Sequence, residues 1–215
     1  MGKLISILAM AVFAMLTVIG TSHAASFNFA NYADTTPGEV GGQPLSFNED
    51  GISLAARGFM GVNPTHAYLD GSIGGNTAGL GVCSTGLDGD GECNIASDDN
   101  VTQGEMLQLV FDTKVSIDAI SFKDSNHLLT NIQGGTLDLS IDGSALGSFS
   151  IDPSDWDSAF AGLMGTVFEF TYVDAQFYLE TVTVSAVPLP PALILFGAAL
   201  AGLGALSRRR KQSKT

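Results

Sequence analysis

The chain has 215 residues, 22 of them Asp or Glu against nine Lys or Arg, for a formal net charge of −13. All 22 acids fall within residues 25–186 but only three basic residues do (Arg57, Lys114 and Lys123), so this interval carries a net charge of −19. A surface of that sign repels nucleic acid and anionic lipid, which excludes nucleic acid as its partner.

The first 24 residues read as a secretory signal peptide. Lys3 supplies a positive start, Leu4 to Ile19 an apolar stretch, and Ser22-His23-Ala24 the small residues that signal peptidase reads. Cleavage is expected after Ala24, with Ala25 as the near alternative. His23 belongs to this segment and carries no catalytic weight.

Residues 25–186 are long enough for one domain with a proper core. Their texture is all-β: short apolar or alternating runs separated by Gly, Asn, Asp and Pro clusters. Phe27-Asn28-Phe29 alternates, and Ile52 to Ala56 follows the turn-forming Asn48-Glu49-Asp50-Gly51. Met106 to Phe111 and Val115 to Phe122 are two expected strands. Asp112-Thr113-Lys114 between them is short enough for a hairpin. In the second strand, strict alternation puts Val115, Ile117, Ala119 and Ser121 on one face. Thr136 to Ile141 alternates with period two, Asp142-Gly143 is a turn signal, and Ala145 to Ile151 returns. Ser154 to Met164 has room for a short helix with Ser154 as its N-cap. Val167 to Tyr172 and Phe177 to Val184 complete about eight strands. Packing rules then favour a β-sandwich or jelly roll, with a barrel as the alternative.

Cys83 and Cys93 are the only cysteines. After export they meet an oxidising compartment, which favours a disulfide. Closing so short a loop stabilises a chain by about 2–3 kcal/mol on the loop-entropy model. The loop and its sequel hold the densest acidic group, Asp88, Asp90, Glu92, Asp98 and Asp99. Hard oxygens at alternate positions among glycines are candidate calcium ligands. The spacing fails the EF-hand template, and a solvated acidic loop is the plainer reading.

No catalytic signature stands out. His66 and His127 are the exported histidines, and a lone loop histidine is usually a surface or turn residue. Asp124 with His127 is a candidate polar cluster, but there is no Gly-x-Ser-x-Gly nucleophile for it to serve. Tyr68, Tyr172, Tyr178 and Trp156 are expected mainly in the core. Trp156, between Asp155 and Asp157, is the candidate sugar contact.

The tail has three parts. Val187-Pro188-Leu189-Pro190-Pro191 breaks secondary structure, Leu189 to Leu206 holds no charge, and Arg208-Arg209-Arg210-Lys211 ends it. Eighteen residues at ~1.5 Å rise reach about 27 Å, near the lower limit for crossing a hydrocarbon core. The basic cluster belongs on the cytoplasmic side and the preceding chain outside.

These residues resemble the PEP-CTERM sorting signal, with Val187, Pro188, Leu189 and Pro190 as the motif and Arg208 to Lys211 as the basic stop. The departure is Leu189, where the name-giving form has glutamate. The resemblance implies recognition by an exosortase, a transient inner-membrane anchor at 189–206, and then a cell-surface or extracellular location. A softer resemblance to exported proteins of that group runs through Ala67-Tyr68-Leu69, Gly79 to Ser84, Asp98 to Phe111, and Ile120 to His127. It implies an exported β-domain and no activity.

Three classes of function follow. The first is a surface or matrix protein, which the family context associates with exopolysaccharide. The second is a carbohydrate-binding module, calcium-assisted or not. The third, less favoured, is an exported hydrolase.

Overall fold

The computed structural model describes residues 24–94, 99–129, 132, 134–188 and 196–197. The chain divides into two units, of which His23–Val187 holds the whole sheet. Among the described residues there are eleven strands and two short helices: β1 Ala24–Asn28, α1 Phe29–Asp34, β2 Val40–Gly42, β3 Leu45–Glu49, β4 Ile52–Met60, β5 Asn63–Ile73, β6 Asn76–Cys83, β7 Glu105–Lys123, β8 Thr136–Ile141, β9 Ser144–Ser150, α2 Trp156–Ala159, β10 Met164–Tyr172 and β11 Tyr178–Ala186. The domain is all-β, as its sequence texture predicts.

The sheet runs in the order β1-β11-β6-β5-β4-β7-β10-β8-β9, with β2 on β5 and β3 on β4. A further pairing of β11 with β7 closes a circuit through β4, β5 and β6. The β6–β11 link in this circuit is a single pair, Leu179 opposite Leu80.

The long strand β7 corrects the expected hairpin. Its two halves do not pair with each other. Glu105–Phe111 lies between β4 and β10, whereas Val115–Lys123 runs along β11. Asp112, Thr113 and Lys114 are three successive exposed residues within one strand. The Asp112 carboxylate accepts the Ser53 amide at 3.2 Å, so the polar tripeptide is braced from β4 instead of turning back.

A bulge also overturns strict alternation in β7. The register passes from Ile117 opposite Val184 to Ala119 opposite Thr183, leaving Asp118 as an extra residue. One extra residue exchanges the faces of a strand. Val115 and Ile117 are therefore buried together with Ile120 and Phe122, while Ala119 is exposed. The expected helix at 154–164 shrinks to the single turn α2. Asp155 precedes it without a capping bond, and the Ser154 hydroxyl binds Asp152 at 2.7 Å. At the other end of the chain the sequence reading misses α1, which Asn28 caps by accepting the Asn31 amide at 2.9 Å.

Rings dominate the core. Phe122 touches Trp156, Phe160, Phe170 and Phe177, and Phe111 bridges Phe27 and Phe168. Edge-to-face packing of this kind adds about 0.5–1.5 kcal/mol per pair to the burial of apolar area. A rigid apolar frame thus flanks the polar residues that end β7 and open β11.

Candidate functional site

Four segments distant in sequence deliver polar side chains to one buried place. Strand β5 carries Asp70, and β11 opens with Tyr178. Asp99 precedes a bridge in which Val101 and Phe177 exchange backbone hydrogen bonds of 2.8 and 3.3 Å. His127 lies in the loop after β7. All four are at least nine-tenths buried. Burying so many polar groups is unfavourable unless each finds a partner.

Glycines admit the Asp99 segment. A Cβ on Gly81 of β6 would run into the Asp99 carbonyl, and one on Gly79 would meet the Leu179 carbonyl of β11. The sparse side chains of β6 thus let two stretches of backbone close over it.

The His127 loop is built by Asp124. Its Oδ1 accepts the amides of Asn126 at 3.0 Å and Leu128 at 2.7 Å, and its carbonyl accepts the His127 amide at 2.9 Å. His127 is left at φ 62°, a left-handed conformation that L-residues adopt at some cost. Its ring has a polar neighbour at each nitrogen. Nδ1 lies 3.1 Å from the Asn76 carbonyl, and Nε2 lies 2.9 Å from Asp70 Oδ2. A carbonyl can only accept, so Nδ1 carries a hydrogen. The edge-on face of Tyr178 packs against the same ring at 5.2 Å.

The Tyr178 hydroxyl donates to Asp99 Oδ1 at 2.5 Å. Burial, and next the negative charge of Asp99, push the Asp70 carboxyl up to about 6; the Tyr178 hydroxyl and His127 pull it back. Burial likewise raises Asp99, against the Tyr178 hydrogen bond. Burial and the two carboxylates push the Tyr178 phenol far upward. Just outside, Tyr68 donates to Glu39 at 2.7 Å, and its phenol is raised by burial and by that acceptor. Beside the cluster, Lys123 of β7 is 3.0 Å from Glu180 and donates to the Thr77 carbonyl and hydroxyl at 2.6 and 2.7 Å.

The other residues singled out by sequence go elsewhere. Cys83 and Cys93 form a disulfide. Asp88, Asp90 and Glu92 are exposed, and Asp88 Oδ1 accepts the amides of Asp90 and Glu92 at 2.9 and 3.0 Å. That carboxylate braces its own loop. Asp99 is not gathered with them but turned to Tyr178, and Asp98 lies outside the described residues. Among the described residues no three His, Cys, Asp or Glu side chains are grouped so as to hold a metal ion. Trp156 is half-buried, donates from Nε1 to the Ile151 carbonyl at 2.9 Å, and meets Phe122 edge-on. His66 on β5 is half-buried opposite Cys83. Val187 donates its amide to the Lys114 carbonyl at 2.9 Å, and Pro188 is exposed. Leu189, Pro190, the span 189–206, Arg208 to Lys211 and the signal segment up to His23 lie outside the described residues. Among the described residues no helix is long and apolar enough to cross a membrane.

Sequence reading missed Asp70 altogether and expected His127 at the surface or in a turn. No family model, curated protein or solved structure matches this chain. The site's chemistry therefore rests on its own geometry: a buried carboxylate–imidazole–phenol cluster in an all-β domain.

Proposed function

We propose that the chain is an exported protein, processed by an exosortase at Val187–Pro190 and held at the cell surface or in the extracellular matrix in association with exopolysaccharide. The observation that carries this reading is the order of the tail, a proline motif, an uncharged span and Arg208 to Lys211, behind an N-terminal signal segment. Two features of the domain agree with it. Strand β1 spans Ala24–Asn28, and among the described residues the last backbone hydrogen bond after β11 is donated by Val187. A cut after Ala24 would remove only the end residue of β1, opposite Ser185, and one beyond Val187 would spare β11. The Cys83–Cys93 disulfide suits an oxidising compartment. The same proposal takes the domain as sandwich-like, with β7 passing from the β4–β10 neighbourhood to that of β11.

Intact mass of the protein from its native cells tests the reading. The expected mass lacks Met1–Ala24 and everything beyond the motif, with or without an added group. A mass retaining Leu189 to Thr215 would make the tail a plain anchor and end the sorting proposal.

A second reading, a carbohydrate-binding module, is favoured by an open groove of about 500 Å³ lined by Phe47, Asn48, Ser53, Leu54 and Asp112 among others. Pull-down on extracted matrix polysaccharide, with and without calcium, decides it. Equal recovery of wild type and Asn48→Ala would sink it.

A further inference from the structure

The sorting motif begins inside the sheet. Val187, its first residue, is half-buried and donates its amide to the Lys114 carbonyl of β7 at 2.9 Å, whereas Pro188 is exposed. Upstream of it, Ala186 lies opposite Val115, Ser185 opposite Ser116 and Val184 opposite Ile117. The Ser185 hydroxyl donates to the Asp118 carboxylate. Strand β1 flanks the same end from the other side, with Ala25 opposite Val184 and Ala24 opposite Ser185. Under the proposed processing Ala24 leaves with the signal segment, so Ser185, Ala186 and Val187 then hang on β7 alone. Val184, fully buried and paired on both sides, is where the firm hold begins.

A peptidase takes its substrate as an extended strand, with the residues ahead of the scissile bond laid in its cleft. Backbone groups engaged by β7 cannot be engaged by a cleft as well. We infer that the carboxy-terminal end of β11 is a gate on sorting: Ser185–Val187 must peel from β7 before the exosortase can seat the motif, and the population of the peeled state sets the rate of processing. The inference rests on the sorting reading given above and adds its regulation. Peeling is a local event. Ser185, Ala186 and Val187 are only half-buried, so their release exposes little apolar area. The pairs of β1 with β11 from Ala25 to Asn28, and the β7 ladder from Ile117 to Lys123, do not depend on them. Where opening and closing are fast relative to cleavage, the rate of cutting follows the open fraction. Removal of Ala24 takes one of the two partners from Ser185, so the amino-terminal cut itself thins the hold on the motif.

Two measurements on the full chain test the gate: pulse-chase in the native cells with the product read by mass, and hydrogen exchange of the purified protein in detergent micelles. A Gly-Ser linker placed between Ala186 and Val187 frees the motif from the ladder and keeps the sequence from Val187 onward. Conversion is then expected to quicken roughly tenfold. Asp118→Ala leaves the cleaved strand and its length untouched and removes the acceptor of the Ser185 hydroxyl. Protection in a peptide covering 181–187 is expected to fall about threefold, and conversion to rise by the same factor. A peptide covering 105–111 is expected to hold steady. Should Asp118→Ala leave protection as it was, Val115→Ala, which thins the partner of Ala186 on the uncleaved strand, takes its place. Unchanged conversion with the linker, or wild-type conversion in a variant whose 181–187 protection has fallen, overturns the gate and leaves the sorting reading standing. A wild type that keeps Leu189 to Thr215 ends the sorting reading, and the gate with it.

Discussion

Two acidic regions of this domain behave in opposite ways. The disulfide loop at 83–93 displays Asp88, Asp90 and Glu92 to solvent and uses one of them to brace its own backbone. The cluster around Asp70 and Asp99 buries its acids beneath β11 and ties them to an imidazole and a phenol. Their residue types differ little. Their surroundings differ wholly, and with them the free energy at stake. A carboxylate in water interacts weakly with its neighbours, whereas one in the interior must be hydrogen-bonded, neutralised or left at a penalty of several kcal/mol.

That difference is open to attack. The largest effect is expected from Gly81→Ala, whose methyl group collides with the Asp99 carbonyl. It should lower stability by about 3 kcal/mol in a denaturant melt and open the cluster, since backbone cannot yield as a side chain end can. Replacing both cysteines by serine should remove about 3 kcal/mol by the same melt, almost all of it through the unfolded chain. This loop would then differ from the cluster in mechanism rather than in size. Asp99→Ala strands the Tyr178 hydroxyl and should cost about 2 kcal/mol. Asp88→Ala, by contrast, releases two amides to water and should cost about 0.5–1 kcal/mol. A smaller loss for Asp99→Ala than for Asp88→Ala would erase the contrast.

The pH dependences sharpen it further. Asp70 is raised, so its contribution is present at low pH and is lost as pH climbs from the ordinary carboxylate value through about 6. Asp152, at the surface between β9 and α2, is held below its ordinary value by the Ser154 amide and hydroxyl. It contributes above that ordinary value, and its contribution is lost as pH falls. A thermal-melt series across pH 3–8 on wild type, Asp70→Asn and Asp152→Asn should show slopes of opposite sign removed by the two substitutions.

Much of the fold was legible in the residues. Thr136 to Ile141 and Ser144 to Ser150 pair around Asp142-Gly143 as the alternation and turn signal predict. The short strand β2 and the small-residue strand β6, with its Gly79 and Gly81, gave no such signal. They are strands because of their neighbours, β6 buried between β5 and β11 and the half-exposed β2 paired to β5, not because their own side chains prefer it. Of the candidate site, Asp99 was grouped with an acidic loop it does not join, His127 was expected in a turn beside Asp124 and lies there but buried, and Asp70 was not noticed. A single Asp between Leu69 and Gly71 has no local pattern that foretells its burial.

Sequence by itself determined the all-β class, the acidic domain between two segments of different composition, and the pairing of the two cysteines. Each follows from composition or from spacing along one stretch of chain. Only the tertiary structure decided that Asp112-Thr113-Lys114 continues a strand, that the Asp118 bulge turns Phe122 inward, and that Asp70, Asp99, His127 and Tyr178 meet. Those outcomes depend on which distant backbone fills the space beside each residue, and that is a property of the packed whole.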